Sequence, residues 1–210
     1  MKKKYISICR LYYSYIMCIF LLILLLDTAK ASGAYDKGTA TGKGRFELSI
    51  TYNPLGIVPY GQNYGVLSYG LSNRFDMVSY YSSHQNGTKS QYIGGLYQFL
   101  NHKKVDLAAA IGLRHTKNQN WDIFFPQLLY TYKLPNDFSI GGSIVRVIEL
   151  ENEKIKGDAI DITFYAPLKW AKKLNSNIKK AYIGFGVFKN TETNLSKDRL
   201  YIHYSLDFII

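Results

Sequence analysis

Alternation of apolar and other residues with period two, held over about ten residues at a time and repeated along the chain, constrains this sequence more than anything else in it. Residues 45–53 place Phe46, Leu48, Ile50 and Tyr52 on one side and Arg45, Glu47, Ser49 and Thr51 on the other. Residues 105–115 set Leu107, Ala109, Ile111 and Leu113 against Asp106, Ala108, Ala110, Gly112 and Arg114. Residues 158–168 set Ile160, Ile162 and Phe164 against Asp161, Thr163 and Tyr165, and residues 181–188 set Ile183, Phe185 and Val187 against Tyr182, Gly184, Gly186 and Phe188. Successive side chains of a strand point to opposite faces, so this period specifies strands and excludes a helical bundle. Weaker segments at 64–71, 75–84, 91–100, 121–133 and 138–147, with the terminal run 199–210, bring the expected total to ten strands. Eight or twelve also fit. Pro126 lacks an N–H and marks a bulge or an edge inside the segment 121–133.

The connections alternate in length. Short turns fall at 72–74, 101–104 and 134–137, and longer polar loops at 54–63, 85–90, 116–120, 148–157 and 189–198. Short turns at one end and long loops at the other describe an antiparallel up-and-down transmembrane β-barrel. One connection breaks the rule: residues 169–180 form a basic linker where a short turn is due. In the loop 148–157, Glu149, Glu151 and Glu153 alternate before Lys154 and Lys156, which reads as a solvated segment.

Period two alone does not separate a membrane barrel from a soluble periplasmic barrel that binds an apolar ligand, since each has one apolar face. Lysine placement separates them. After residue 31 the sixteen lysines fall in loops, turns, the leader or strand ends. Lysine on a lipid-facing strand costs about 2–4 kcal/mol at the bilayer midplane, whereas on a soluble sheet it is harmless. Tyr52, Tyr97, Phe99, Trp121, Tyr130, Tyr132, Phe138 and Trp170 fall near expected strand ends, where membrane barrels carry aromatic girdles.

The first 31 residues read as an address. Lys2, Lys3, Lys4 and Arg10 precede an eleven-residue apolar run at 16–26, and Ala29-Lys30-Ala31 offers a cleavage site. The run is too short to span a bilayer comfortably, which takes about 20 residues. Cleavage would take Lys2, Lys3, Lys4, Arg10, Lys30 and Asp27 from totals of 26 basic and 15 acidic residues, leaving 21 and 14. It would also remove Cys9 and Cys18, the only cysteines, which suits passage through an oxidising compartment. An exported chain does not meet nucleic acid. Residues 32–43, rich in Gly, Ser, Thr, Ala and Lys, are expected to be a flexible periplasmic leader, and residues 44–210 the barrel.

At the C-terminus, Ile202, Tyr204, Leu206, Phe208 and Ile210 keep an unbroken apolar register to the last residue. This strand resembles the terminal β-signal of bacterial outer-membrane barrel proteins, with Ile210 where that signal usually ends in an aromatic residue and Phe208 two positions back. The resemblance makes Tyr204, Leu206, Phe208 and Ile210 the assembly signal. It implies the Gram-negative outer membrane as location, and outer-membrane lipid, lipopolysaccharide and the barrel-assembly machinery as partners.

Chemistry leaves little trace. No phosphate loop, H-E-x-x-H, calcium loop or G-x-S-x-G is present, and no cofactor is expected. His84 and His115 lie at the loop ends of their strands; with Ser82, Ser83 and Asp122 they are candidates for a rim site, the place where small barrel enzymes of the outer membrane carry catalytic groups. Arg45, Glu47, Asp106, Arg114, Asp161, His203 and Asp207 are expected to point into the lumen, where opposite charges would pair and stiffen the barrel. A barrel near eight strands is filled by side chains, and open channels need about sixteen. The expectation is a non-enzymatic outer-membrane barrel that acts through exposed loops or as a structural part of the envelope. A small rim enzyme and a soluble apolar-ligand barrel are the competing readings.

Overall fold

The computed structural model describes residues 37–52, 62–84, 89–116, 121–151, 153–190 and 201–210. The loops at 53–61, 85–88, 117–120 and 191–200, and the whole of the expected signal 1–31, lie outside the described residues.

Eleven strands follow in order among the described residues: β1 (Phe46–Tyr52), β2 (Gln62–Gly70), β3 (Phe75–His84), β4 (Lys89–Asn101), β5 (Val105–Thr116), β6 (Trp121–Phe124), β7 (Gln127–Lys133), β8 (Ser139–Glu149), β9 (Lys154–Pro167), β10 (Lys180–Asn190) and β11 (Tyr201–Ile209). Each pairs antiparallel with its neighbours, and β1 closes on β11 with Leu48 opposite Phe208 and Ile50 opposite Leu206. The first and last strands are joined there at their periplasmic end, Phe46 and Ile210 exchanging backbone hydrogen bonds of 3.1 and 2.8 Å. The terminal strand thus seals the cylinder, as its unbroken register requires.

The strands β6 and β7 are one stave in two pieces, each paired with β5 on one side and β8 on the other. Pro126 sits at the break. It donates nothing, yet the ladder is carried across: Phe125 N–H donates to Gly112 O (3.0 Å) and Arg146 N–H to Pro126 O (3.0 Å). The result is a closed, antiparallel, ten-stave barrel; among the described residues helix is confined to a single turn α1 (Ala171–Leu174) in the 169–180 linker and a 3-10 turn at Pro135–Asp137. The 148–157 segment differs from expectation. The ladder runs on until Glu149 faces Lys154, with a bulge opposite Val147 and Ile148, so the strands consume most of the anticipated loop.

Side-chain direction is what the lysine pattern implies. Leu48, Ile111, Ile162 and Phe185, on four strands of the wall, are 37, 58, 48 and 47 % exposed. They do not crowd into a sealed interior. A continuous belt of exposed aliphatics, completed by Leu67, Met77, Ile93, Leu128, Ile144 and Ile160, is far beyond the apolar patches a soluble monomer carries. This overturns the soluble-barrel reading and makes the protein an outer-membrane barrel. At the short-turn end the belt is edged by exposed Phe46, Phe75, Tyr97, Phe99, Tyr132, Phe164 and Trp170, an aromatic girdle. Tyr52 is not part of it: the side chain is buried. Short turns face the periplasm in such barrels, which orients the molecule.

Candidate functional site

The interior of the barrel is occupied, and by a segment that composition assigns to the outside. Residues 37–42, expected within a flexible leader, run inside the lumen at its periplasmic end, and Lys43 emerges exposed at the rim. Gly38 N–H donates to Thr131 Oγ1 on β7 (2.9 Å), and Thr39 Oγ1 to Asp106 Oδ2 on β5 (2.7 Å). Ala40 N–H donates to Gln98 Oε1 on β4 (3.1 Å) and Thr41 N–H to Asp76 Oδ2 on β3 (2.7 Å). Each of these four donors therefore meets a polar side chain on a different stave. Lys37 anchors its start, its ammonium paired with Glu47 on β1 and with Asp207 Oδ2 on β11 (2.8 Å), and lying over the rings of Tyr165 and Tyr182.

Small residues make this possible. A Cβ on Gly38 would come within 2.7 Å of Leu129 O, and a Cβ on Gly70 within 1.9 Å of Gly42 O. Composition that reads as a linker in water is, in a narrow cylinder, a chain thin enough to fit and polar enough to be held. Of the buried carboxylates, Glu47 and Asp76 take their partners from the strap, and Asp106 and Asp207 take one there besides Lys133 and Ser49.

Beyond the strap the lumen turns apolar. Tyr64, Val66, Val78, Leu96, Ala108, Ala110 and Leu129, from five staves, form one buried cluster against which Ala40 packs. Tyr92, Ile123, Phe125, Val145 and Val147 form a second, with Tyr80 stacked on Tyr92 at 5.1 Å and packed against both. On the opposite wall, Thr163 Oγ1 and His203 Nε2 are 3.0 Å apart, Phe188 packs edge-on to His203, and the Ser143 hydroxyl donates to Asp161. Gly186 leaves the space the imidazole fills; a Cβ there would lie 1.9 Å from Nε2. Two cavities flank the strap. One of about 170 Å³ opens between Lys37, Lys133, Asp137, Phe138 and Tyr182, and one of about 30 Å³, room for a water or two, lies between Thr41, Ser68 and Asp76.

The anticipated lumen set is mostly inside. Glu47, Asp106, Asp161, His203 and Asp207 are buried; Glu47 and Asp207 share Lys37, while Asp106, Asp161 and His203 each have partners of their own. Asp106 takes Lys133 Nζ at 2.7 Å in addition to Thr39, and Ser49 Oγ donates to Asp207 Oδ1 at 2.6 Å. Arg114 is half-buried, its guanidinium over the Phe125 ring at 4.7 Å. Arg45 is a correction. It precedes β1 and is exposed, because the turn at Gly42–Arg45 lifts it out of the strand register. In the assembly-signal strand, Ile210 is exposed and Tyr204, Leu206 and Phe208 lie on the outward face.

The rim candidates lie on different staves. His84 ends β3 opposite Gln62, and His115 stands on β5 opposite Gln91 and Trp121, with β4 between the two strands. Ser82 is buried and pairs with Ser90. The side chains of His84 and Asp122 lie outside the described residues. No group of three or more His, Cys, Asp or Glu suited to a metal ion occurs among the described residues.

No protein-family model matches the chain, and no curated protein sequence matches it. Solved structures do. The chain is similar to the KdgM porin, at 10% identity and a TM-score of 0.50, over 79% of this chain and 97% of that one. It is similar to the KdgM porin in complex with disordered oligogalacturonate at 10% identity and a TM-score of 0.51, with the same coverage. The likeness is one of fold: a porin-like barrel of the bacterial outer membrane.

Proposed function

We propose that this protein is a non-enzymatic outer-membrane barrel with a closed lumen, acting through its outer loops or as a structural component of the envelope rather than as an open pore. The supporting observation is the strap. Residues 37–42 cross the periplasmic end of the cylinder, hydrogen-bonded to four staves and ion-paired to two more, and a buried apolar cluster lies directly behind them.

The porin neighbour solved with oligogalacturonate invites the alternative that this lumen passes acidic sugar chains. The interior charges favour closure. A polyanion needs a row of available cations, whereas Lys37 is paired with Glu47 and Asp207, Lys133 with Asp106, and Arg114 is stacked on Phe125. Under this reading residues 1–31 direct export, the barrel-assembly machinery reads Tyr204 to Ile210, and lipid and lipopolysaccharide surround the apolar belt.

Planar-bilayer recording tests the proposal. The detergent-purified protein should give no discrete conductance steps while a known porin, reconstituted in parallel, does. Reproducible unitary steps from the wild-type chain, abolished by a blocking acidic oligosaccharide, would establish the pore instead.

A further inference from the structure

The exceptional linker between β9 and β10 has no part in the lumen, and its composition is that of a membrane-surface contact. Ala171, 1 % exposed, pins the single turn α1 to the barrel end, and Leu168 N–H donates to Ala181 O at 2.8 Å. From that fixed base the linker presents Lys169, Trp170, Lys172, Lys173, Leu174 and Lys179 outward. Trp170 is 43 % and Leu174 74 % exposed. None of these lysines is paired with a carboxylate among the described residues, and the sequence has no acidic residue between Asp161 and Glu192.

The rest of the periplasmic rim agrees in sign. Lys43, Arg45, Arg74, Lys103 and Lys104 are exposed there, against one exposed acidic side chain among the described residues, Asp137. The other carboxylates at this end, Glu47, Asp76, Asp106 and Asp207, are turned inward onto the strap and onto Lys133. The fold has sorted its charges, with anions inside and cations on the rim. Trp170 stands in line with the aromatic girdle, so the lysines beside it fall at the depth of lipid phosphates.

We infer that the 169–180 linker docks on anionic phospholipid headgroups of the periplasmic leaflet, with Trp170 and Leu174 inserted and Lys172 and Lys173 on the phosphates. The inference needs only the membrane orientation of the barrel, and stands whether or not the lumen conducts. A lysine close to an anionic surface contributes roughly fivefold to partitioning. The interaction is therefore selective among lipids as well as anchoring.

Trp121 and Trp170 are the only tryptophans, so Trp121→Phe leaves Trp170 as the sole reporter. This variant is refolded into phosphatidylcholine vesicles containing phosphatidylglycerol, with one lipid or the other brominated. Brominated phosphatidylglycerol should quench Trp170 more strongly than brominated phosphatidylcholine. That preference should fall roughly fivefold in Lys172→Gln or in Lys173→Gln, further in the double variant, and shrink in high salt. Equal quenching by the two lipids, or no quenching by either, overturns the inference. So does wild-type protein that sediments with cell-wall sacculi through this linker while showing no lipid preference. If Trp121→Phe does not fold, the difference between wild type and Trp170→Phe isolates the same signal.

Discussion

Lys37 joins the two ends of the barrel wall, taking one carboxylate from the first strand and one from the last. Removing it leaves Glu47 and Asp207 buried without a counter-charge. Breaking a buried pair in this way costs about 3–5 kcal/mol, so Lys37→Met should lower the urea midpoint of the refolded protein markedly. Adding Glu47→Gln should recover part of the loss, because one orphaned charge goes with it. A midpoint unchanged in Lys37→Met would show that the strap does not hold the wall together. Glycines give a paired comparison. A Cβ on Gly38 meets the carbonyl of Leu129 at 2.7 Å, and backbone does not yield as a side-chain tip does, whereas a Cβ on Gly65 meets nothing within 4 Å. Gly38→Ala should destabilise by about 1–3 kcal/mol and Gly65→Ala should be neutral or mildly stabilising, measured by the same titration.

At the scale of the element, each strand has a lipid face and a lumen face, and substitutions should respect the difference. Ile111, at mid-height on β5 and the most exposed of the belt, faces hydrocarbon. Ile111→Arg should cost about 2–4 kcal/mol in vesicles, while Ser176→Arg, in the exposed periplasmic linker, should cost almost nothing. Equal costs at the two sites would place the belt in water. The strands were legible in the sequence because period two survives wherever one face is lipid, and β3 begins and ends where alternation puts it, at Phe75 and His84. The lumen's apolar clusters were not legible. Val66, Val78, Leu96, Leu129 and Val145 lie inside strands whose outer face is also apolar, so the contrast that reveals a face is lost. The strap was hidden for another reason. Gly38, Thr39, Ala40 and Thr41 carry no periodicity, and only the carboxylates waiting inside the barrel turn such a segment from tail to plug. Among the lumen charges, Asp106, Asp161 and Asp207 followed from strand parity, while Arg45 did not, because parity has no force outside a strand.

For the whole molecule, these pieces amount to a division of labour. Aliphatic side chains hold the cylinder in hydrocarbon, aromatic and basic groups set its depth at the periplasmic surface, and residues 37–42 close the bore at its periplasmic end. The third claim is the central one, and hydrogen exchange reads it directly. In the refolded, lipid-embedded protein, the amides of Gly38, Ala40 and Thr41 donate to buried side chains, so a peptide spanning residues 37–43 should exchange orders of magnitude more slowly than an unstructured chain. Exchange of that peptide at the rate of a free tail, beside strands that remain protected, would mean that the bore is empty of it.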